Sequence, residues 1–184
     1  MESVKSKNEI LTYTGICIDP YYIKKEQVEI RDIAHSLSYL SRANGHIRHF
    51  YSVAQHAVNC ALEAANRGLE RRTRLACLLH DAAESYISDV TRPVKRRLKG
   101  YEEIEDYVIG VIFSAFGLND LSEQELAAVK EIDDAMLYYE FEALADYRMS
   151  KIPPSISMQH DFSQRPFEDV ERQFLMLFDE LYLR

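Results

Sequence analysis

No apolar run in this 184-residue chain approaches the roughly 20 residues needed to cross a bilayer. Residues 1–9 are polar and charged and lack the apolar stretch of a secretory signal, so a cytoplasmic protein with no membrane partner is expected. Cysteine is scarce: Cys17, Cys60 and Cys77 are odd in number and lack metal-type spacing, which excludes a disulfide framework. Cys60 and Cys77 sit in apolar stretches and read as inert buried thiols. Basic residues are outnumbered 22 to 30, and the net charge of −8 argues against a nucleic-acid partner or an anionic membrane surface. Local basic clusters at 42–49 and 92–99 nevertheless suit a small anionic ligand. Glycine (6) and proline (5) are few, with no repeats, low-complexity tracts or interdomain linker. With 47% apolar and 28% charged residues, the chain reads as one soluble globular domain over 1–184.

What is present is mostly helical periodicity. Residues 10–22 (ILTYTGICIDPYY) are rich in β-branched and aromatic side chains and read as a short hairpin or extended arm. Helical patterns follow over 28–40, over 51–67 with Ser52 as cap and Gly68 as stop, and over 69–85. Beyond a basic turn at 91–100, helices are expected at 101–116 and at 122–147, where Ser122 and Glu125 form a capping box. The last is expected at 166–183, after a loop over 151–164 that contains Pro153-Pro154. The fold class is all-α, a bundle of about six or seven helices. It divides into an arm (1–27), a helical core (28–147) and a C-terminal loop and helix (148–184).

The chemistry centres on residues 75–95, LACLLHDAAESYISDVTRPVK. An apolar run carries directly into His80-Asp81, and each of these side chains costs energy away from water unless it finds a partner. An isolated His-Asp pair at a helix end most often reads as solvated charge, yet one divalent cation would partner both. Imidazole with carboxylate suits Mn, Co, Fe, Ni or Zn. Glu84, four residues on in the same expected helix, shares the face of His80 and points at whatever the histidine binds. His56 lies among Val53, Ala54, Ala57 and Val58, where a histidine is either a hydrogen-bonded core residue or a ligand. Asp133 shares a helical phase with Val129 and Leu137, while Asp134 is turned about 100° away and reads as a solvated neighbour. His35 and His160 read as structural or exposed.

His56, His80-Asp81 and Asp133 resemble, in order and type, the pattern of the HD superfamily of metal-dependent phosphohydrolases. Four blocks carry the resemblance: SVAQH (52–56), HDAAESYISD (80–89), PVK (93–95) and VKEID (129–133). It covers roughly residues 10–147 and is closest to small bacterial and phage HD proteins of the 5′-deoxynucleotidase type. The resemblance implies an HD-domain helical fold and a single cation (Co, Mn, Zn, Ni or Mg) held by His56, His80, Asp81 and Asp133. It further implies Glu84 as the catalytic glutamate, Asp89 as the carboxylate facing the sugar 3′-hydroxyl, and Arg42 as a phosphate-binding arginine. Those deoxynucleotidases carry a tryptophan after that arginine; here Ala43 follows Arg42, and the chain has no tryptophan.

The expected activity is therefore hydrolysis of a deoxynucleotide phosphate ester by a metal-activated water. Glu84 would handle the proton, and Arg42, with His46 or Lys95, would bind the phosphate. Gly45-His46 resembles the phage branch, some of whose members release triphosphate from dATP, and this is the alternative reading. Dinuclear phosphodiesterases and the large dNTP hydrolases use histidines after the His-Asp pair, and none occurs from Ala82 to Met158. An alarmone hydrolase would carry Glu-Asp where this chain has Glu84-Ser85. A non-catalytic nucleotide-binding module is disfavoured by the intact ligand set. Residues 138–141 (YYEF) could face a homo-oligomer partner or the core equally well.

Overall fold

The structure, a computed structural model, describes residues 7–182; residues 1–6 of the expected arm and residues 183–184 lie outside the described residues. The arm forms a two-stranded antiparallel hairpin, β1 (Ile10–Leu11) with β2 (Cys17–Ile18), in the register Ile10↔Ile18. The backbone N–H and hydroxyl of Thr14 donate to Asp32 at 2.6 and 2.9 Å, docking the hairpin on α1 (Ile30–Tyr39). The chain continues through α2 (Val53–Asn66), α3 (Arg71–Leu79), α4 (Glu84–Ile87), α5 (Arg92–Lys95), α6 (Tyr101–Ala115), α7 (Glu123–Ala145) and α8 (Phe167–Tyr182). Six of these run for 9 residues or more, and α4 and α5 are single turns of 4. No described helix is long and apolar enough to cross a membrane.

α2 is the hub, packed against α1, α3, α7 and α8. Every residue from Val53 to Ala61 is buried, as a helix surrounded by others requires. Ala54, Ala57, Ala61 and Ala64 let the neighbouring helices approach closely, and the core continues through Leu78, Leu79, Ile112, Ile132, Met136 and Phe174. The YYEF run belongs largely to this interior: Tyr138 and Glu140 are buried, and the Tyr139 hydroxyl donates to Pro154 O at 2.8 Å.

A buried hub still carries polar side chains, and the segment after α7 satisfies them. Gln55 donates to Asp161 O and Ser163 O (3.2 and 3.0 Å), and Asn59 donates to Asp161 O at 3.1 Å. One turn on, Glu63 accepts from Arg67 Nε (2.8 Å) and Ser157 N (2.7 Å) and pairs with His160 Nε2 (2.9 Å). The expected loop over 151–164 is thus irregular but strapped along one polar stripe of α2. His160 is a buried member of that strap. His35 is structural too, stacked on Tyr13 (3.7 Å between ring centroids) and paired with Glu171 at 3.1 Å.

One expectation fails. The helix over 69–85 is broken: α3 ends at Leu79, residues 80–83 form a turn, and α4 begins at Glu84. Ala82 N–H donates to Leu79 O (2.9 Å) and Glu84 N–H to Asp81 O (3.0 Å), three residues back in each case. The backbone therefore tightens to 3₁₀ geometry through the His-Asp pair.

Removing the buried Glu63 carboxylate would leave His160 Nε2, the Ser157 N–H and the Nε of Arg67 without their partner, although Arg67 keeps Glu131 and Ser155 O. Glu63→Ala is expected to lower unfolding stability by about 3–5 kcal/mol in denaturant melts. Glu131→Ala, which removes an exposed carboxylate bonded to the same Arg67 at 2.7 Å, is expected to cost about 1 kcal/mol or less. Equal losses in the two variants would show that the strap does not depend on Glu63.

Candidate metal centre

Three helices deliver four side chains to one point. α2 carries His56, the turn after α3 carries His80 and Asp81, and α7 carries Asp133. His56 Nε2 lies 3.2 Å from His80 Nε2, 3.3 Å from Asp133 Oδ1 and 3.7 Å from Asp81 Oδ2. His80 Nε2 lies 3.4 Å from Asp81 Oδ2 and 3.7 Å from Asp133 Oδ1. Two ligand atoms about 2.1 Å from one cation stand about 3.0 Å apart at a right angle and about 3.4 Å apart at the tetrahedral angle. The donor separations therefore fit one divalent cation, and a set of two imidazoles with two carboxylates suits the Mn-to-Zn series.

The far nitrogens of both rings are already assigned. His56 Nδ1 donates to Glu140 Oε1 at 2.6 Å and His80 Nδ1 to Cys77 O at 2.8 Å. This selects the tautomer whose Nε2 lone pair faces the centre, the orienting arrangement usual for metal-bound histidine. The carboxylates have outer partners as well. Arg42 spans Asp81 Oδ2 (3.1 Å) and Glu140 Oε2 (3.2 Å), and Arg92 donates to Asp133 Oδ2 at 2.8 Å.

The charges explain why a cation belongs there. Burial raises the pKa of Asp133, but hydrogen bonds to His56 and His80 hold it far below the usual carboxylate range. Burial likewise opposes ionisation of Asp81 and Glu140, and the neighbouring histidines and Arg42 outweigh it. At His56, burial and Arg42 disfavour a second ring proton, yet Cys60, Glu140 and Asp133 pull the pKa well above its ordinary value. His80 is raised against burial by Asp81 and Asp133. Positive charge is favoured where the four donors meet. Cys60 borders the same point, its Sγ 3.6 Å from His56 Nε2, with the donor atoms of His56, Cys60 and His80 all within 4.8 Å of one another. Burial pushes its thiol up to about 11, so the ionised carboxylates are the stronger donors.

Glu84 reaches the cluster by a different route from the one its spacing suggests. In 3₁₀ geometry residues i and i+3 eclipse, so Glu84 follows Asp81 and does not share a face with His80. It is buried, and its Oε2 has no hydrogen-bond partner among the described residues. Burial, then Asp81 and Asp89, raise its pKa well above the ordinary value, against Arg42 and Lys95. Neighbouring Glu84 and Asp81 are thereby driven apart, one towards the acid and one towards the carboxylate.

The remaining expected residues are placed unequally. Asp89 accepts from Ala43 N–H; burial raises its pKa, Arg42 lowers it and Asp81 raises it further. The donor comes from a turn in which Ala43 (φ 52°), Asn44 (φ 51°) and Gly45 (φ 76°) are all left-handed, a strained choice for alanine. Arg42, the expected phosphate ligand, is largely buried and commits two of its five N–H donors to Asp81 and Glu140. Lys95 is paired with Glu105 at 2.6 Å and sits 5.4 Å over the Tyr101 ring. His46 is exposed, and its side chain takes no part in the hydrogen bonds of the cluster. Sequence reasoning missed Glu140 and Arg92. Glu140 had a signal, since it lies seven residues after Asp133 and so two turns along the same face.

A profile of the HD domain matches residues 47–153, a span that contains all four donors, Glu84, Asp89 and Glu140. The uncharacterised protein YfdR of Escherichia coli K12 is 42% identical over 100 residues, 53% of each chain. An uncharacterised protein of Rhodobacter capsulatus is 37% identical over 126 residues, 65% of this chain and 64% of that one. The chain thus spans 53% and 64% of the lengths of these two relatives.

If Glu140 orients His56, its loss should be felt as metal affinity. Glu140→Ala is expected to weaken Mn²⁺ binding, read by calorimetry, by about 10- to 100-fold. His80→Ala is expected to bind more weakly still. Wild-type affinity in both variants would remove the cation from this site.

Proposed function

Because this chain belongs to the HD-domain family, a family of metal-dependent phosphohydrolases, we propose that it hydrolyses the 5′-phosphate ester of a deoxynucleoside monophosphate. The observation that carries this reading is the buried carboxyl of Glu84, with one oxygen unpartnered, beside four convergent donors. His56, His80, Asp81 and Asp133 would hold the cation, which when bound supplies Lewis acidity and a more acidic water. Glu84 holds or releases a proton at its free oxygen, and so can take one from the attacking water or return one to the leaving oxygen. Arg42 fixes Asp81 and retains three N–H donors for a phosphoryl oxygen, while Lys95 lends positive charge beside Glu84. Asp89 is the acceptor for the sugar 3′-hydroxyl. A second reading, release of triphosphate from a deoxynucleoside triphosphate, draws on the exposed His46 of the left-handed turn, where a longer phosphate chain would meet no buried wall.

The test is incubation of Mn²⁺-loaded protein with dAMP, dADP, dATP and AMP, with phosphorus products identified. Orthophosphate from dAMP alone supports the nucleotidase. Triphosphate from dATP supports the second reading, and no product from any of the four overturns both.

Glu84→Gln is expected to keep the cation and lose about 10²- to 10⁴-fold in turnover. Its stability should move the other way. A carboxyl whose folded pKa is raised disfavours the folded state as pH rises above the ordinary carboxylate range. Metal-free Glu84→Gln should therefore melt above wild type at pH 7, the difference shrinking towards pH 4. A melting difference that grew on acidification would contradict the protonation assigned to Glu84.

Asp89 gives a separate outcome. A hydrogen bond to a charged acceptor is worth about 1.5–3 kcal/mol, so Asp89→Ala should erode the preference for dAMP over AMP by about tenfold or more while Mn²⁺ binding holds. Equal wild-type rates on dAMP and AMP would defeat the sugar assignment without touching the metal centre.

A further inference from the structure

All four candidate ligands have an outer partner, and one of those partners differs in kind. Glu140, Arg42 and the Cys77 carbonyl act from within the core. Arg92 acts from outside: its side chain is 46% exposed, against 12% for Arg42. It sits on the single-turn helix α5, beyond the loop that holds Asp89. Its guanidinium forks across Asp133 Oδ2 (2.8 Å) and Asp134 Oδ1 (2.9 Å), while Asp133 Oδ1 faces the imidazoles. Arg92 therefore stands on the solvent side of the carboxylate whose other oxygen lines the centre.

The two cations already assigned near the phosphate, Arg42 and Lys95, have other commitments. Arg42 is locked between Asp81 and Glu140, and Lys95 is paired with Glu105 beneath Tyr101. Among the described residues, Arg92 is held only by a partly exposed carboxylate and an exposed one, the second shared with Lys130 at 2.9 Å. Such exposed pairs are weak, so exchange of partners is cheap. The planar fork that spans two carboxylates matches two oxygens of a phosphate dianion equally well.

We propose that Arg92 is a further phosphate-recognising residue of this site, held in wait by Asp133 and Asp134 and yielded by them to the anionic group of the substrate. The proposal rests on the phosphohydrolase reading and names a residue that reading did not use. Asp134 then has a task as well, as the competitor that keeps the guanidinium at the mouth until a stronger anion arrives.

Calorimetry on the full chain separates the two levels. Mn²⁺ is titrated first into metal-free protein, then inorganic phosphate into the Mn²⁺-loaded protein, for wild type, Arg92→Gln and Asp134→Asn. Glutamine can still donate one hydrogen bond to Asp133, so Arg92→Gln should keep Mn²⁺ affinity within about threefold while phosphate binding weakens roughly tenfold or more. Asp134→Asn removes a competitor and should tighten phosphate several-fold with Mn²⁺ unchanged, an effect that a merely structural Arg92–Asp134 pair would not produce. Phosphate affinity unchanged in Arg92→Gln, or not improved in Asp134→Asn, overturns the proposal even where Mn²⁺ binds normally. Failure of wild-type protein to bind Mn²⁺ overturns the metal reading itself.

Discussion

Two imidazole nitrogens 3.2 Å apart in the interior of a protein are a problem that the rest of this fold is arranged around. With both Nδ1 positions spent on Glu140 and Cys77 O, the rings turn their remaining nitrogens towards each other and towards two carboxylates. Only positive charge between them relieves that arrangement, and a divalent cation does so for all four donors at once. A buried charge is tolerated when it is paired and hydrogen-bonded, and costly otherwise. Hence each donor is braced from behind, and the braces reach from α7, from the segment before α2, from the backbone of α3 and from α5.

That bracing accounts for an architecture in which the most buried helix also carries much of the polar interior. α2 brings His56 to the centre on one face, while its Gln55–Asn59–Glu63 stripe is covered by the irregular segment after α7. The long segment without regular structure is therefore no slack. It supplies backbone carbonyls and an N–H to polar groups that a helix–helix contact could not satisfy, which lets α2 sit among four helices without unpaired side chains. The small residues on the same helix let those neighbours close in, so the metal donors are set at short separations by backbone packing and not by long flexible side chains.

Most of this was legible in the sequence, and what was not has local causes. The helices over 53–66 and 123–145 were readable because Ser52 and Ser122 mark their starts and their apolar periodicity is sustained. The four donors could be singled out because each is polar at an otherwise apolar phase. The break between Leu79 and Glu84 was not readable. Ala82-Ala83 is a good helical pair by propensity, and residue type alone does not show the bonds of the His80 ring to Cys77 O and of Ser85 Oγ to Ala82 O that accompany the tighter turn. The inner bonds of Arg42 were not readable, because a single residue type cannot show that the carboxylates of Asp81 and Glu140, 39 and 98 positions away, pair with it. Glu140 was passed over among aromatic neighbours, although its seven-residue spacing from Asp133 placed it on the working face.

The polar groups around the centre then fall into two tiers that physical chemistry treats differently. Arg42, Glu140 and His56 form the inner tier, where low exposure makes each hydrogen bond strong and its loss expensive, so their geometry is fixed once the chain folds. Arg92, Asp134 and His46 form the outer tier, where water screens the pairs and partners exchange at little cost. A site that held one ion permanently and one anion transiently, as proposed for this chain, would need both tiers and a residue that touches each. Asp133 is that residue: one oxygen faces the fixed imidazoles, and the other faces the exchangeable guanidinium. On the proposed reading, an anion that drew Arg92 away would leave more negative charge on Asp133 for the cation, and the cation would in turn draw the anion. The two would thereby be coupled through a single carboxylate, in the direction that favours the loaded site over either half-filled one.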